Sequence, residues 1–165
     1  MKAFIIKDIK HFMNQLLVYS IFDHFNCIEA SITTFNTFQI TGRIHPDYYP
    51  LNEYEALEKP EYSNWAMLKP LCYEIIKGKK TPLNFSFILS LPDNVKCNLS
   101  QKGGISSSIF SHASLHLNIK FDHQKLSVIS ATSLDCFSMD KSLEQLWDST
   151  VETFLKKHFD LDVFQ

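Results

Sequence analysis

Apolar and polar positions alternate along this chain with two different periods, and the places where the period changes predict its elements. MKAFIIK opens as a short strand. Asp8 then stands where a helix N-cap belongs, and Ile9, Phe12, Met13, Leu16 and Leu17 fall on one face of a helix over 9–17. Lys7, Lys10, His11, Asn14 and Gln15 take the opposite, wet face. The runs 27–34 and 37–44 follow, joined around Phe35-Asn36. In the second run Phe38, Ile40 and Gly42 alternate with Gln39, Thr41 and Arg43. Period two of this kind predicts a half-buried antiparallel pair.

From 45 to 64 the chain is polar, Pro-punctuated and Tyr-rich, which predicts a long loop with one helical turn. Trp65–Leu68 reads as a short extended stretch. A compact helix follows, with Pro70 at its first position, Gly78 as the left-handed residue past its end, and Leu71, Cys72, Ile75 and Ile76 on its apolar face. Phe85, Phe87, Leu89 and Leu91 mark one side of a strand. The Ser-, Asn- and Gly-rich stretch 92–112 predicts a mobile loop. Leu115, Leu117, Ile119 and Phe121 then alternate with polar residues, and a turn at DHQK sends the chain back as a strand to about Ala131. The clearest helical face runs from about 141 to 158, through Leu143, Leu146, Trp147, Val151, Phe154, Leu155 and His158. Acidic residues near its start and Lys156, Lys157 and His158 near its end suit the helix dipole, and Glu152 and Lys156 stand four apart. These elements predict an α+β fold in one domain over 1–165. It is an antiparallel or mixed sheet, with two helices packed on it and a long C-terminal amphipathic helix closing the core.

Composition narrows the classes of function. A chain of 165 residues that is 45% hydrophobic, with 14 Phe, is long enough to bury a core without disulfides or metal. Its net charge of −2 argues against a globally basic nucleic-acid binder. The basic residues are 15 Lys and the single Arg43, which weakens any scheme built on several bidentate arginine clamps. Charges interrupt every apolar run at the N-terminus, so neither a signal peptide nor a membrane span is expected there. Cys27, Cys72, Cys97 and Cys136 are widely spaced, mostly among apolar neighbours, and read as reduced thiols of a cytoplasmic protein.

Candidate chemistry is thin. His112 and His116 have the H-x3-H spacing of a helical metal site, but their surroundings alternate as a strand, where residues four apart stand about 13 Å apart. No metal and no cofactor is expected. KGKKTP lacks the spaced glycines of a phosphate loop, and no G-x-S-x-G nucleophile turn is present. Cys72 and Cys136 are the most plausible thiols, and both read as core packing. Two groups of residues rise above this background as candidate binding sites. One is basic: Lys7, Lys10 and His11 on the first helix, and Lys69, Lys77, Lys79 and Lys80 around the second. The other is the stretch GRIHPDYY, where Arg43, His45, Asp47, Tyr48 and Tyr49 mix hydrogen-bonding and aromatic groups.

DIKHFMNQLL, EASITTFNTFQITGR, LKPLCYEIIKGKKTPLNF and ATSLDCFSMDKSLEQLWD together resemble a family of clostridial-type bacterial proteins without assigned function. The likeness spans nearly the whole chain. It implies a compact bacterial protein and carries over no catalytic residue. More distantly, the order of elements is similar to one domain of a DNA sliding clamp, with NWAMLKPLCYEIIKGKKTPLNFSFIL matching the pattern of a clamp's second helix, turn and following strand. That likeness implies helix lysines turned toward DNA. Three functions are therefore in view. A non-enzymatic binding module with a protein partner leads, then a clamp-like nucleic-acid-associated protein, then a small enzyme using the Arg43–Tyr49 region.

Overall fold

The structure is a computed structural model that describes residues 1–135 and 138–164, the side chain of Ser107 excepted. In chain order it runs β1 (Ala3–Ile6), α1 (Ile9–Leu17), β2 (Asn26–Thr33) and β3 (Thr37–Thr41). A single 3-10 turn (Pro46–Tyr48) leads to α2 (Leu51–Ala56), α3 (Trp65–Ile76) and β4 (Asn84–Ser90). The remainder is α4 (Asp93–Gly103), α5 (Ser107–Ser111), β5 (Ala113–Asp122), β6 (Lys125–Leu134), α6 (Ser142–His158) and β7 (Leu161–Phe164). The seven strands form one sheet in the order β3-β2-β4-β5-β6-β1-β7. Every neighbouring pair is antiparallel, so the sheet is not mixed, and it stays open instead of closing into a barrel.

Register explains why one face of this sheet is the core. Phe85 pairs with Phe121 and Ile32, Phe87 with Ile119 and Ala30, and Leu89 with Leu117 and Cys27. Farther on, Ile119 meets Val128, which meets Phe4. Period-two alternation in each strand therefore sums to one apolar face across the sheet. All of these residues are buried, and the Phe85 and Phe121 rings stack at 5.0 Å. Burying each Val, Leu, Ile or Phe side chain among them contributes on the order of 1.5–3 kcal/mol. The helices cover this face. In α6, Leu143, Trp147, Val151 and Leu155 are buried at the spacing read from the sequence.

Two tryptophans anchor helices through their indole N–H groups. Trp65, fully buried, donates to the Leu16 carbonyl at 2.9 Å and so ties α3 to the end of α1. Trp147 donates to the His116 carbonyl at 3.0 Å and fixes α6 on β5. Behind it the buried Asp148 accepts from Ser130, whose own Oγ accepts the Lys2 N–H at 3.0 Å. Lys2 and Lys156 both reach Glu152, at 2.8 and 2.6 Å.

Several expectations change. Trp65–Leu68 is the first turn of α3, because Asn64 caps that helix by accepting the Ala66 N–H. Pro70 consequently sits inside the helix, on its exposed side, where its missing N–H costs a bond to the carbonyl one turn back. The stretch 92–112 is not a mobile loop but α4 and α5. Val95 and Leu99 supply the apolar edge of α4, and Gly104 ends it at φ 65°, a left-handed value that suits glycine. The polar segment after His45 holds α2 as well as the 3-10 turn. Strand β7 lies beyond every element read from the sequence.

Candidate functional site

The six candidate lysines do not form one surface, and three of them, Lys7, Lys69 and Lys77, are held by acidic side chains. Lys7 reaches Asp160 and Asp162 at 3.4 and 3.2 Å, beside β7. Lys69 is largely buried between Asp23 at 2.6 Å and the Tyr19 carbonyl at 2.9 Å, a strut between α3 and the turn after α1. Lys77 pairs with Glu74 at 2.6 Å. Lys10, Lys79 and Lys80 are exposed and make no ion pair among the described residues. Lys77, Lys79 and Lys80 do come together, lining one hollow with Phe35, Ile75 and Leu83. On the second candidate stretch, Arg43 pairs with Glu61 at 3.5 Å and bridges to Tyr62 through the backbone. His45, Asp47 and Tyr48 are exposed, whereas Tyr49 is half-buried, stacked on Tyr54 and edge-on to Tyr48.

A different place is better formed. Between α4, α6 and the turn before β2 lies a cavity of about 190 Å³. Leu117 of β5 and Trp147 of α6 line it with Phe25, Leu91, Val151 and Phe154, and Val95 and Leu99 of α4 form its outer wall. His24, Asn98, Lys102 and Thr150 complete the lining. The His24 ring packs against Phe25 at 4.3 Å and edge-on to Phe154 at 6.3 Å. Burial lowers the His24 pKa, so the imidazole is neutral near pH 7. The Thr150 hydroxyl donates to the Leu146 carbonyl at 2.7 Å, and the Trp147 indole is already bonded. An apolar hollow with a few polar groups at its rim is the ordinary form of a small-molecule site.

A second hollow of about 610 Å³ is polar and opens on the other side of α4. Its lining includes Ser90, Ser114 and His116 from the strands, Asp93 and Lys96 from α4, and Glu58–Tyr62 from the segment after α2. Lys96 donates to the Ala113 carbonyl at 2.8 Å and pairs with Asp93 at 2.6 Å. His116 Nδ1 is buried with no partner among the described residues, and burial followed by the Lys96 charge lowers its pKa. Glu58 and Lys59 both have left-handed backbones, at φ 62° and 50°, so this wall carries local strain. Glu61 and Tyr62, the neighbours of Arg43, belong to the same wall.

His112 caps α5 while His116 lies within β5, so the two share no helical face. Cys27 and Cys72 are buried, and burial pushes both thiols up to about 12, far from a reactive thiolate. Cys97 is exposed on α4, and Cys136 lies outside the described residues. Sequence reasoning missed the apolar cavity because its outer wall is the stretch read as a loop. The available signal was Val95, Leu99 and Lys102 at helical spacing between Pro92 and Gly104.

No curated protein and no solved structure matches this chain. The model of one family, described as a family of unknown function, matches residues 15–161, from the end of α1 to the first residue of β7. The chain therefore belongs to the DUF5721 family.

Proposed function

We propose that this chain is a non-catalytic binding module whose ligand is a small apolar molecule held between α4 and α6. The observation that carries this reading is the cavity of about 190 Å³ walled by Leu91, Val95, Leu99, Leu117, Trp147 and Phe154. Its depth is built from core residues, and among the described residues its lining holds no thiol and no carboxylate. The same reading takes residues 1–165 as one domain working in the cytoplasm, and among the described residues no helix is long and apolar enough to cross a membrane. A protein partner fits the outer side of α3, where Met67 and Leu71 stand one turn apart and are 53% and 55% exposed.

The test uses phenylacetamide, a neutral single-ring probe, and the two indole N–H resonances. Binding in the cavity moves the Trp147 resonance and leaves that of Trp65, which lies outside the lining, in place. Leu99→Trp fills the space and abolishes the shift while circular dichroism stays unchanged. A probe that moves neither resonance, or both alike, refutes the reading.

A second reading, the clamp-like nucleic-acid-associated protein, is favoured by one feature: α1 and α3 pack against each other, with Trp65 of α3 bonded to Leu16 of α1. Lys10, Lys79 and Lys80, exposed and without an ion pair among the described residues, are the cations it would use. It predicts DNA binding that weakens steeply with salt and is lost in the double variant Lys10→Glu, Lys79→Glu. Binding unchanged in that variant excludes this surface.

A further inference from the structure

The charges around the apolar cavity are one-sided. Lys102 is the one Lys, Arg, Asp or Glu in the lining, and it makes no ion pair among the described residues. Its neighbour Lys96, two turns earlier on α4, is by contrast held by Asp93 and the Ala113 carbonyl. Val95, Asn98, Leu99 and Lys102 recur every three or four residues, so one face of α4 meets the cavity, apolar first and cationic at its C-terminal end. The polar donors inside are committed, Thr150 to Leu146 and Trp147 to His116. The one N–H of neutral His24 goes to the Ile21 backbone, and among the described residues the Asn98 amide and the Lys102 ammonium are the donors left at the rim. Neutral His24 adds no second charge near pH 7.

Size sets the other bound. An apolar cavity of about 150 Å³ holds a benzene molecule. One of about 190 Å³ therefore takes a single ring, or a short branched chain, with a small substituent reaching the rim.

Resting on the binding-module reading above, we propose that the ligand is a small hydrophobic carboxylate, aryl or branched-chain, with its apolar part against Trp147 and Leu117 and its carboxylate on Lys102 and Asn98. The class follows from complementarity: an apolar body replaces water in the cavity, and an anion supplies the partner that Lys102 lacks. Because the ammonium is exposed, its preference is modest, about fivefold over a neutral isostere.

Three probes of nearly equal shape separate the two claims: phenylacetate, phenylacetamide and 2-phenylethylamine, each titrated against the full chain by the Trp147 indole resonance. The expected order is acid, then amide, then amine, with the acid about fivefold tighter than the amide. Lys102→Gln brings acid and amide to within about twofold of each other, and Lys102→Glu makes the amine the best ligand. Acid and amide binding equally to the unaltered protein, or an acid preference that survives Lys102→Glu, overturns the anion inference and leaves the cavity reading standing. No shift at Trp147 with any of the three overturns both.

Discussion

Replacing Trp65 with Phe should cost much more than the same replacement at Trp147, although both indoles are almost wholly buried and both donate one hydrogen bond. The difference lies in the acceptor. Leu16 is in the last turn of α1, where carbonyls lack a partner one turn ahead. Val18 and Tyr19 both donate to Asn14, so the indole of Trp65 is what satisfies the Leu16 carbonyl. The His116 carbonyl instead lies within the β5–β6 ladder, opposite Ala131, and the Trp147 indole is an additional donor to it. Each change gives up similar apolar contact, about 1–2 kcal/mol. Trp65→Phe further leaves a buried carbonyl unpaired, at about 1–3 kcal/mol. Its total is about 2–5 kcal/mol, a fall in Tm of roughly 4–20 °C for a chain of this length. Urea unfolding of both variants, followed by far-UV circular dichroism, measures the gap directly. Costs equal to within about 0.5 kcal/mol would refute the orphan-carbonyl argument.

Other consequences can be measured on the same protein. In a Cys136→Ser background, a thiol reagent at pH 8 should label Cys97 at once and reach Cys27 and Cys72 only on unfolding, since burial holds both near 12; prompt labelling of all three contradicts their burial. The hydrogen bonds from Lys156 and Lys2 lower Glu152 from an ordinary 4.5 to about 2. Its pKa is lower in the folded state, so the stability it adds is present above about 4.5 and is lost as the pH falls toward 2. Glu152→Gln should flatten the acid limb of the stability curve, and superimposable limbs would show that these bonds add nothing. Gly42→Ala would place a Cβ 1.7 Å from the Cys27 carbonyl oxygen, where β2 bulges, so backbone must move at a cost of about 1–3 kcal/mol or more. A melting curve unchanged by that substitution would mean the approach is looser than described.

Local periodicity made much of this fold legible in the residues themselves. Helix α1, with its Asp8 cap, and α6, with Leu143, Trp147, Val151 and Leu155, follow from a period of 3.6. Strands β2 to β6 follow from a period of two, because each side chain's face is settled by its immediate neighbours along the chain. Signals of one or two residues determine an element less firmly. Pro70 predicts a helix start that Asn64 in fact caps six residues earlier, and the serines and glycines of 92–112 mask Val95 and Leu99. The absence of a recognisable catalytic motif was also a property of the sequence, because motif spacings are themselves local.

Adjacency belongs to the tertiary fold. Residues 161–164 become a strand because β1 presents an open sheet edge to them, with Ala3 opposite Phe164 and Ile6 opposite Leu161. By its place in the sequence Lys69 belongs to a basic set, whereas in the fold Asp23, nearly fifty residues earlier, stands 2.6 Å from its ammonium. The cavity is the strongest case. His24, Leu99, Leu117 and Phe154 come from four distant segments, and the order β3-β2-β4-β5-β6-β1-β7 with α4 and α6 laid over it brings them together. No pattern along the chain encodes that meeting, since it depends on which strands pair and not on which residues follow one another.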